Sequence, residues 1–154
     1  MSFRAGARIW RENKTLKDKS LEDAPRLLLD FHQVAYVGKA FELSNDGEAT
    51  AVNIEPQKIT FMKSTVTFSA VPNLSSKARV QLRADSNLAS LMADAWRQKG
   101  QTVEVPISMN FESMSKRKYV SSWQISCRNV VPESSWSPSY PDLDIKFLGC
   151  RLAL

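Results

Sequence analysis

The chain has 154 residues, 43% hydrophobic and 24% charged, with five Gly and seven Pro, which excludes disordered and collagen-like classes and leaves one globular domain with room for an arm. Lys and Arg outnumber Asp and Glu by 21 to 16, and the surplus is clustered: residues 77–131 carry nine basic and four acidic side chains, a local excess equal to the net +5 of the whole chain. Such a cluster suits a polyanion through counterion release, whereas no apolar run approaches the roughly 18 residues that cross a bilayer, so no membrane partner is expected.

Residues 1–24 hold six cations before position 20 and little apolar periodicity beyond Ile9 and Trp10, which reads as a flexible basic arm. Arg4, Arg8 and Arg11 around Trp10 suit either nucleic acid or a neighbouring subunit. The run LLLDFHQVAYVGKAFEL (27–43) reads as a first strand with a bulge or bend at Gly38. The turn Ser44-Asn45-Asp46-Gly47 ends it, since Asn and Gly accept positive φ and Asp can close an Asx-turn.

A weaker extended stretch, ATAVNIE, precedes Pro56. The β-branched and aromatic KITFMKSTVTFSAV then reads as one strand, or two with a kink near Lys63-Ser64. Pro72–Ser76 reads as a loop. In KARVQLRAD, Ala78, Val80, Leu82 and Ala84 share one strand face, and Lys77, Arg79, Gln81 and Arg83 share the other. That second face is either a ladder of cations or an ordinary solvated surface.

One helix is expected after Ser86 or Asn87 as cap. Leu88, Leu91, Met92, Ala95 and Trp96 recur at helical spacing, Arg97 and Lys99 occupy the last turn, and Gly100 is the stop. Two further strands follow, TVEVPISMNF and KYVSSWQISCRNVV, joined by the basic ESMSKRK. PESSWSPSYPD breaks regular structure, and LDIKFLGCRLAL reads as a last strand. The chain thus divides into a basic arm (1–24), a main domain (25–131) and a Pro/Ser-rich linker with a terminal strand (132–154).

The element order is that of a mainly β, five-stranded OB-like barrel with one α-helix between its third and fourth strands. AWRQKGQTVEVPISM resembles the helix end and fourth strand of bacterial single-stranded DNA-binding proteins. HQVAYVGKA is similar to their opening strand, and KYVSSWQISCRNV takes the place of their last barrel strand. The match covers about half of the chain. The family's Gly/Gln-rich tail with an acidic-aromatic tip has no counterpart, so no partner-recruiting role carries over to the C-terminus. The resemblance implies a binder of single-stranded DNA, or RNA, with little base preference.

Binding single strands requires cations that follow phosphates and aromatic faces on which bases stack, each face contributing roughly 1–3 kcal/mol. Lys116, Arg117 and Lys118 lead into Tyr119, and Trp123 stands four residues further along the same strand face. In an OB groove they would join Lys77, Arg79, Arg83, Phe61 and Lys63. Tyr119 and Trp123 are equally well suited to core packing.

Nothing in the chain points to catalysis, a metal or a cofactor. His32 is the sole histidine and sits at the edge of an apolar strand. Cys127 and Cys150 have no metal-ribbon or redox spacing, and no phosphate-binding glycine motif occurs. The Asp142/Asp144 alternation is more typical of a wet strand face than of a metal site. Two unpaired cysteines with no secretory apolar region fit the cytoplasm of a bacterial or phage-infected cell, a mitochondrial presequence being opposed by Glu12. A competing reading is a homo-oligomeric structural assembly protein, such as a phage tail-tube or virion component. In that case the arm and the 132–141 segment contact neighbouring subunits.

Overall fold

The computed structural model describes residues 24–34, 38–136 and 138–153. The arm therefore lies, up to residue 23, outside the described residues. The chain is mainly β with one α-helix, and its strands form two sheets and a small hairpin.

The first sheet begins with β1 (Leu27–Val34) and β2 (Gly38–Asn45), paired antiparallel from Leu27↔Asn45 to Val34↔Gly38. What reads in sequence as one bent strand is a hairpin, because period-two alternation runs through both arms and Gly38 opens the second. β7 (Arg79–Gln81) adds to β2 as the third strand. The second sheet has five strands in the order β10-β9-β8-β3-β6. Its members are β3 (Ala51–Pro56), β6 (Val71–Leu74), β8 (Val103–Ser113), β9 (Lys118–Val131) and β10 (Tyr140–Leu152). Pro72, expected in a loop, lies within β6, on an edge strand where a residue without an N–H is tolerated.

The ends of the five-stranded sheet, β10 and β6, do not pair with each other or with the three-stranded sheet, so the described strands do not close into the expected barrel. The helix α1 (Leu88–Lys99) lies between β7 and β8. It is built as its sequence predicts. The Asn87 side chain accepts from the Ser90 N–H at 3.0 Å, and Gly100, at φ 66°, donates its N–H to the Trp96 carbonyl at 2.8 Å.

Alternation in β8 buries Val103, Val105, Ile107, Met109 and Phe111, and β9, which buries Tyr119, Val120 and Ser121 in succession before it alternates, adds Trp123, Ile125 and Cys127. Leu27, Leu29, Phe41 and Leu43 of the other sheet and Leu88, Met92 and Ala95 of α1 join the same core. Each fully buried aliphatic or Phe side chain stabilises by about 1.5–3 kcal/mol.

A buried polar residue ties the two sheets. Asn45 donates from Nδ2 to the carbonyls of Ala49 (2.8 Å) and Leu74 (2.9 Å), while its Oδ1 accepts from the Arg26 N–H (3.3 Å) and the Gly47 N–H (3.0 Å). Asn45, rather than Asp46, therefore closes the Asx-turn. Gly47 has no positive φ; its hydrogen is required because a Cβ there would stand 2.8 Å from the Arg26 backbone nitrogen.

The KITFMKSTV segment forms β4 (Ile59–Phe61) and β5 (Ser64–Val66) around a two-residue turn in which Met62 (φ 51°) and Lys63 (φ 66°) are both left-handed. Two positive φ values in succession match the right-handed twist of the flanking strands, as in a type I′ hairpin. Among the described residues, no helix is long and apolar enough to cross a membrane.

Candidate functional site

The alternation read in residues 77–83 holds in exposure: Lys77, Arg79, Gln81 and Arg83 are all exposed, with Leu82 buried behind them. The ladder is shorter than expected, since only Arg79–Gln81 is regular strand. Lys77 has φ 64° and belongs to the preceding turn, its N–H bonded to the Asn45 carbonyl at 2.7 Å. Much of its charge is also answered within the chain. Lys77 Nζ donates to the Asp46 carbonyl at 2.7 Å and lies 3.5 Å from Asp46 Oδ1 and 4.0 Å from Glu48 Oε1. Arg79 Nη1 lies 3.9 Å from Glu42 Oε1.

Of the basic triplet, Lys116 lies in the Met114-Ser115-Lys116 turn between β8 and β9, Arg117 closes that turn, and Lys118 opens β9. The Lys116 N–H bonds the Ser113 carbonyl at 3.0 Å, the Ser113 N–H bonds the Arg117 carbonyl at 2.9 Å, and Lys116 has φ 67°. This is a three-residue hairpin loop with Lys116 in the left-handed position that glycine usually takes. Lys116, Arg117 and Lys118 are exposed, and none forms an ion pair among the described residues.

The aromatic half of the expected groove is in the core. Tyr119 is 1% and Trp123 2% exposed, so neither ring offers a face to a base. Tyr119 stacks on its cross-strand partner Phe111 with centroids 5.4 Å apart, and Trp123 contacts Phe147 at 5.9 Å. The reason lies in the shared periodicity of β8 and β9, whose inward rows oppose each other. Phe61 is half-buried against the core, and Lys63 is exposed at the β4–β5 turn. The clefts bordered by Lys118 with Tyr119, by Lys77 with Arg79, and by Arg83 share no residue.

A cation and an exposed part of an aromatic do meet elsewhere. Arg83 borders an open cleft of about 670 Å³ together with Lys39, Phe31, Phe41 and the start of α1. Phe31 is half-buried and its ring lies 4.8 Å from that of Phe41. Sequence reading missed Lys39 and Phe31 because the hairpin, not the alternation, brings them beside Arg83. Lys39 also lies across the Tyr140 ring of β10, 4.2 Å from its centroid.

His32 is held between carboxylates. Its Nδ1 is 2.9 Å from Asp30 Oδ2 and its Nε2 3.5 Å from Glu42 Oε1. Both ring nitrogens thus face acids rather than a hydroxyl or thiol. Among the described residues no group of three His, Cys, Asp or Glu side chains is placed to hold a metal ion. Cys127 is buried and Cys150 half-buried, and both are free thiols. Asp144 meets Arg128 at 3.3 Å across β9 and β10.

The largest feature beyond the sequence reading is the outer edge of β10, the strand expected at the end of the chain. The strand pairs with β9 from Tyr140 to Leu152, and among the described residues its other edge has no strand partner. Phe147 is 51% and Leu148 53% exposed, and Leu152 is also exposed. Beside them an apolar cleft of about 400 Å³ opens between Ala24, Pro25, Leu27 and Leu28 on one side and Phe147 and Cys150 on the other. The adjacent pair Phe147-Leu148 breaks the period of two, and that break was the available signal, since a strand cannot turn both side chains to one face.

No family model, curated protein or solved structure matches the chain.

Proposed function

We propose that the protein is a self-assembling structural subunit, of the tail-tube or virion kind, rather than a groove that grips a polymer. The observation that carries this reading is the unpaired edge of β10, with Phe147, Leu148 and Leu152 exposed beside an apolar cleft. A long edge strand with apolar side chains is a template for pairing with another chain, and single-domain proteins ordinarily blunt such edges. The buried Tyr119 and Trp123 add to it by taking the stacking faces out of the rival reading. The test is sedimentation velocity and negative-stain microscopy of the full chain without nucleic acid. Regular multimers are expected, and Leu148→Lys should shift them toward monomer. A monomer at every concentration would reject the reading.

A second reading keeps single-stranded nucleic acid as partner, and the cleft of Arg83, Lys39 and Phe31 favours it. There the cations would meet phosphates and Phe31 the edge of a base. The placement of α1 directly before the long β8–β9 hairpin supports the OB-like form of this reading, and the unpaired sheet ends weigh against it. Fluorescence anisotropy with labelled oligo-dT and oligo-U over a salt series tests it. Tight, salt-steep binding that Arg83→Glu abolishes would establish it; no binding at low salt would end it.

A further inference from the structure

We propose that β10 pairs with β10 of a second copy of this chain, antiparallel and centred on Ile145, joining two five-stranded sheets into one. The pairing rests on the assembly reading above and specifies its contact.

β10 is not uniformly regular. Its register against β9 slips between Asp142 and Leu143 and again between Phe147 and Gly149. Between the slips, Leu143, Asp144, Ile145, Lys146 and Phe147 oppose Cys127, Ser126, Ile125, Gln124 and Trp123 without interruption. Bulges commonly protect a sheet edge by bending it away. Here they bound a run of unbroken register, and the middle residue of that run is Ile145.

The run is self-complementary about its middle. Antiparallel pairing centred on Ile145 places Leu143 opposite Phe147 of the other copy, Asp144 opposite Lys146, and Ile145 opposite itself. Leu143, Ile145 and Phe147 lie on the side of the sheet whose β9 partners are the buried Cys127, Ile125 and Trp123, so the two cores become continuous and Phe147 is covered. The other side gains two Asp–Lys pairs. Neighbouring registers lack this match. Centring on Asp144 or Lys146 opposes like charges at the axis, and centring on Leu143 opposes Asp142 to Asp144 twice. Centring on Phe147 falls on the bulge. A shift by half a step would turn the core side of one copy to the polar side of the other. Lys146 forms no ion pair among the described residues, so its charge is available to a second chain.

The experiment uses the full chain. At the centre of an antiparallel pair the two Cα atoms stand about 4.5–5.5 Å apart, within disulfide range. Ile145→Cys in a Cys150→Ser background should therefore give a disulfide-linked dimer under mild oxidation. Asp142→Cys in the same background should not, because its copies would lie about 20 Å apart along the strands. Lys146→Glu, at an exposed position that leaves the core intact, should weaken association about tenfold by sedimentation equilibrium. A multimer that neither cross-links through Ile145→Cys nor responds to Lys146→Glu overturns this pairing and leaves the assembly reading standing. A monomer at all concentrations overturns both. An Ile145→Cys variant that stays monomeric under the same oxidation also overturns the pairing.

Discussion

The Asn45 side chain donates a 2.9 Å hydrogen bond to the carbonyl of Leu74, which joins the end of a strand in the three-stranded sheet to the end of an edge strand in the five-stranded one. Asn45 is fully buried, and its amide makes four hydrogen bonds, all to backbone. An amide has both donors and acceptor in the right places, and no other side chain of that size does. Asn45→Ala should cost on the order of 3 kcal/mol in urea unfolding, since it strands buried carbonyls and N–H groups. Asn45→Asp should be worse at pH 7 than at pH 4. Its carboxylate would face two carbonyls, burial would raise its pKa above the unfolded value, and the deficit would grow as the pH rises through the ordinary carboxylate range.

Trp123 supplies the second prediction, because two readings of one residue differ in what its loss does. A stacking platform would lower oligonucleotide affinity and leave the fold intact. In the core, Trp123→Ala or Tyr119→Ala should instead destabilise by about 3–5 kcal/mol, with the loss of Trp123 also freeing Phe147. Thermal unfolding read by far-ultraviolet circular dichroism separates the two.

These residues also mark where sequence reading reached and where it stopped. Helix α1 was legible because cap, stripe and stop are local, and β8 and β9 were legible because β8 alternates throughout and β9 alternates from Ser121 to Cys127. The facing of residues 77–83 was legible for the same reason. Alternation names two faces of a strand without saying which is wet, and aromatics on β9 fit either side until the opposed row of β8 is placed. The β1–β2 hairpin was hidden because its arms share one period, so Lys39 and Phe31 could not be put beside Arg83. Asn45 looked like a turn residue, and its role depends on Leu74, 29 positions away. The open edge of β10 is a property of strand order, which no local pattern carries.

Among the described residues, three lysines sit in left-handed backbone: Lys63, Lys77 and Lys116. An L-residue there carries a steric penalty of roughly 1–2 kcal/mol that glycine avoids. Lys77 is compensated by its contacts with Asp46, but the side chains of Lys63 and Lys116 make no hydrogen bond or ion pair among the described residues. Lys63→Gly and Lys116→Gly should therefore each stabilise the protein by up to about 1 kcal/mol, glycine's freedom in the unfolded chain offsetting part of the gain. Chemical denaturation measures this directly. If Lys116→Gly also abolishes oligonucleotide binding, the second functional reading gains the cation at that hairpin tip.

The two thiols should behave differently. Burial raises the pKa of Cys127, opposed by a backbone hydrogen bond at Asn129, reinforced by the nearby Asp142 carboxylate and opposed again by the Arg97 guanidinium. Cys150 is half-buried beside Phe147 in the apolar cleft. A thiol reagent applied to the native protein should modify Cys150 and leave Cys127 untouched until denaturant is added, since reaction requires an accessible thiolate. The raised pKa has a consequence for stability. Below the unfolded thiol's pKa both states hold the proton and the contribution is complete. As the pH rises past that value the unfolded chain ionises first, and stability falls until the folded thiol titrates in turn. Urea midpoints should decline in this alkaline range, and Cys127→Ala should flatten the decline. Equal reactivity of both thiols in the native state would contradict the placement of Cys127 in the core.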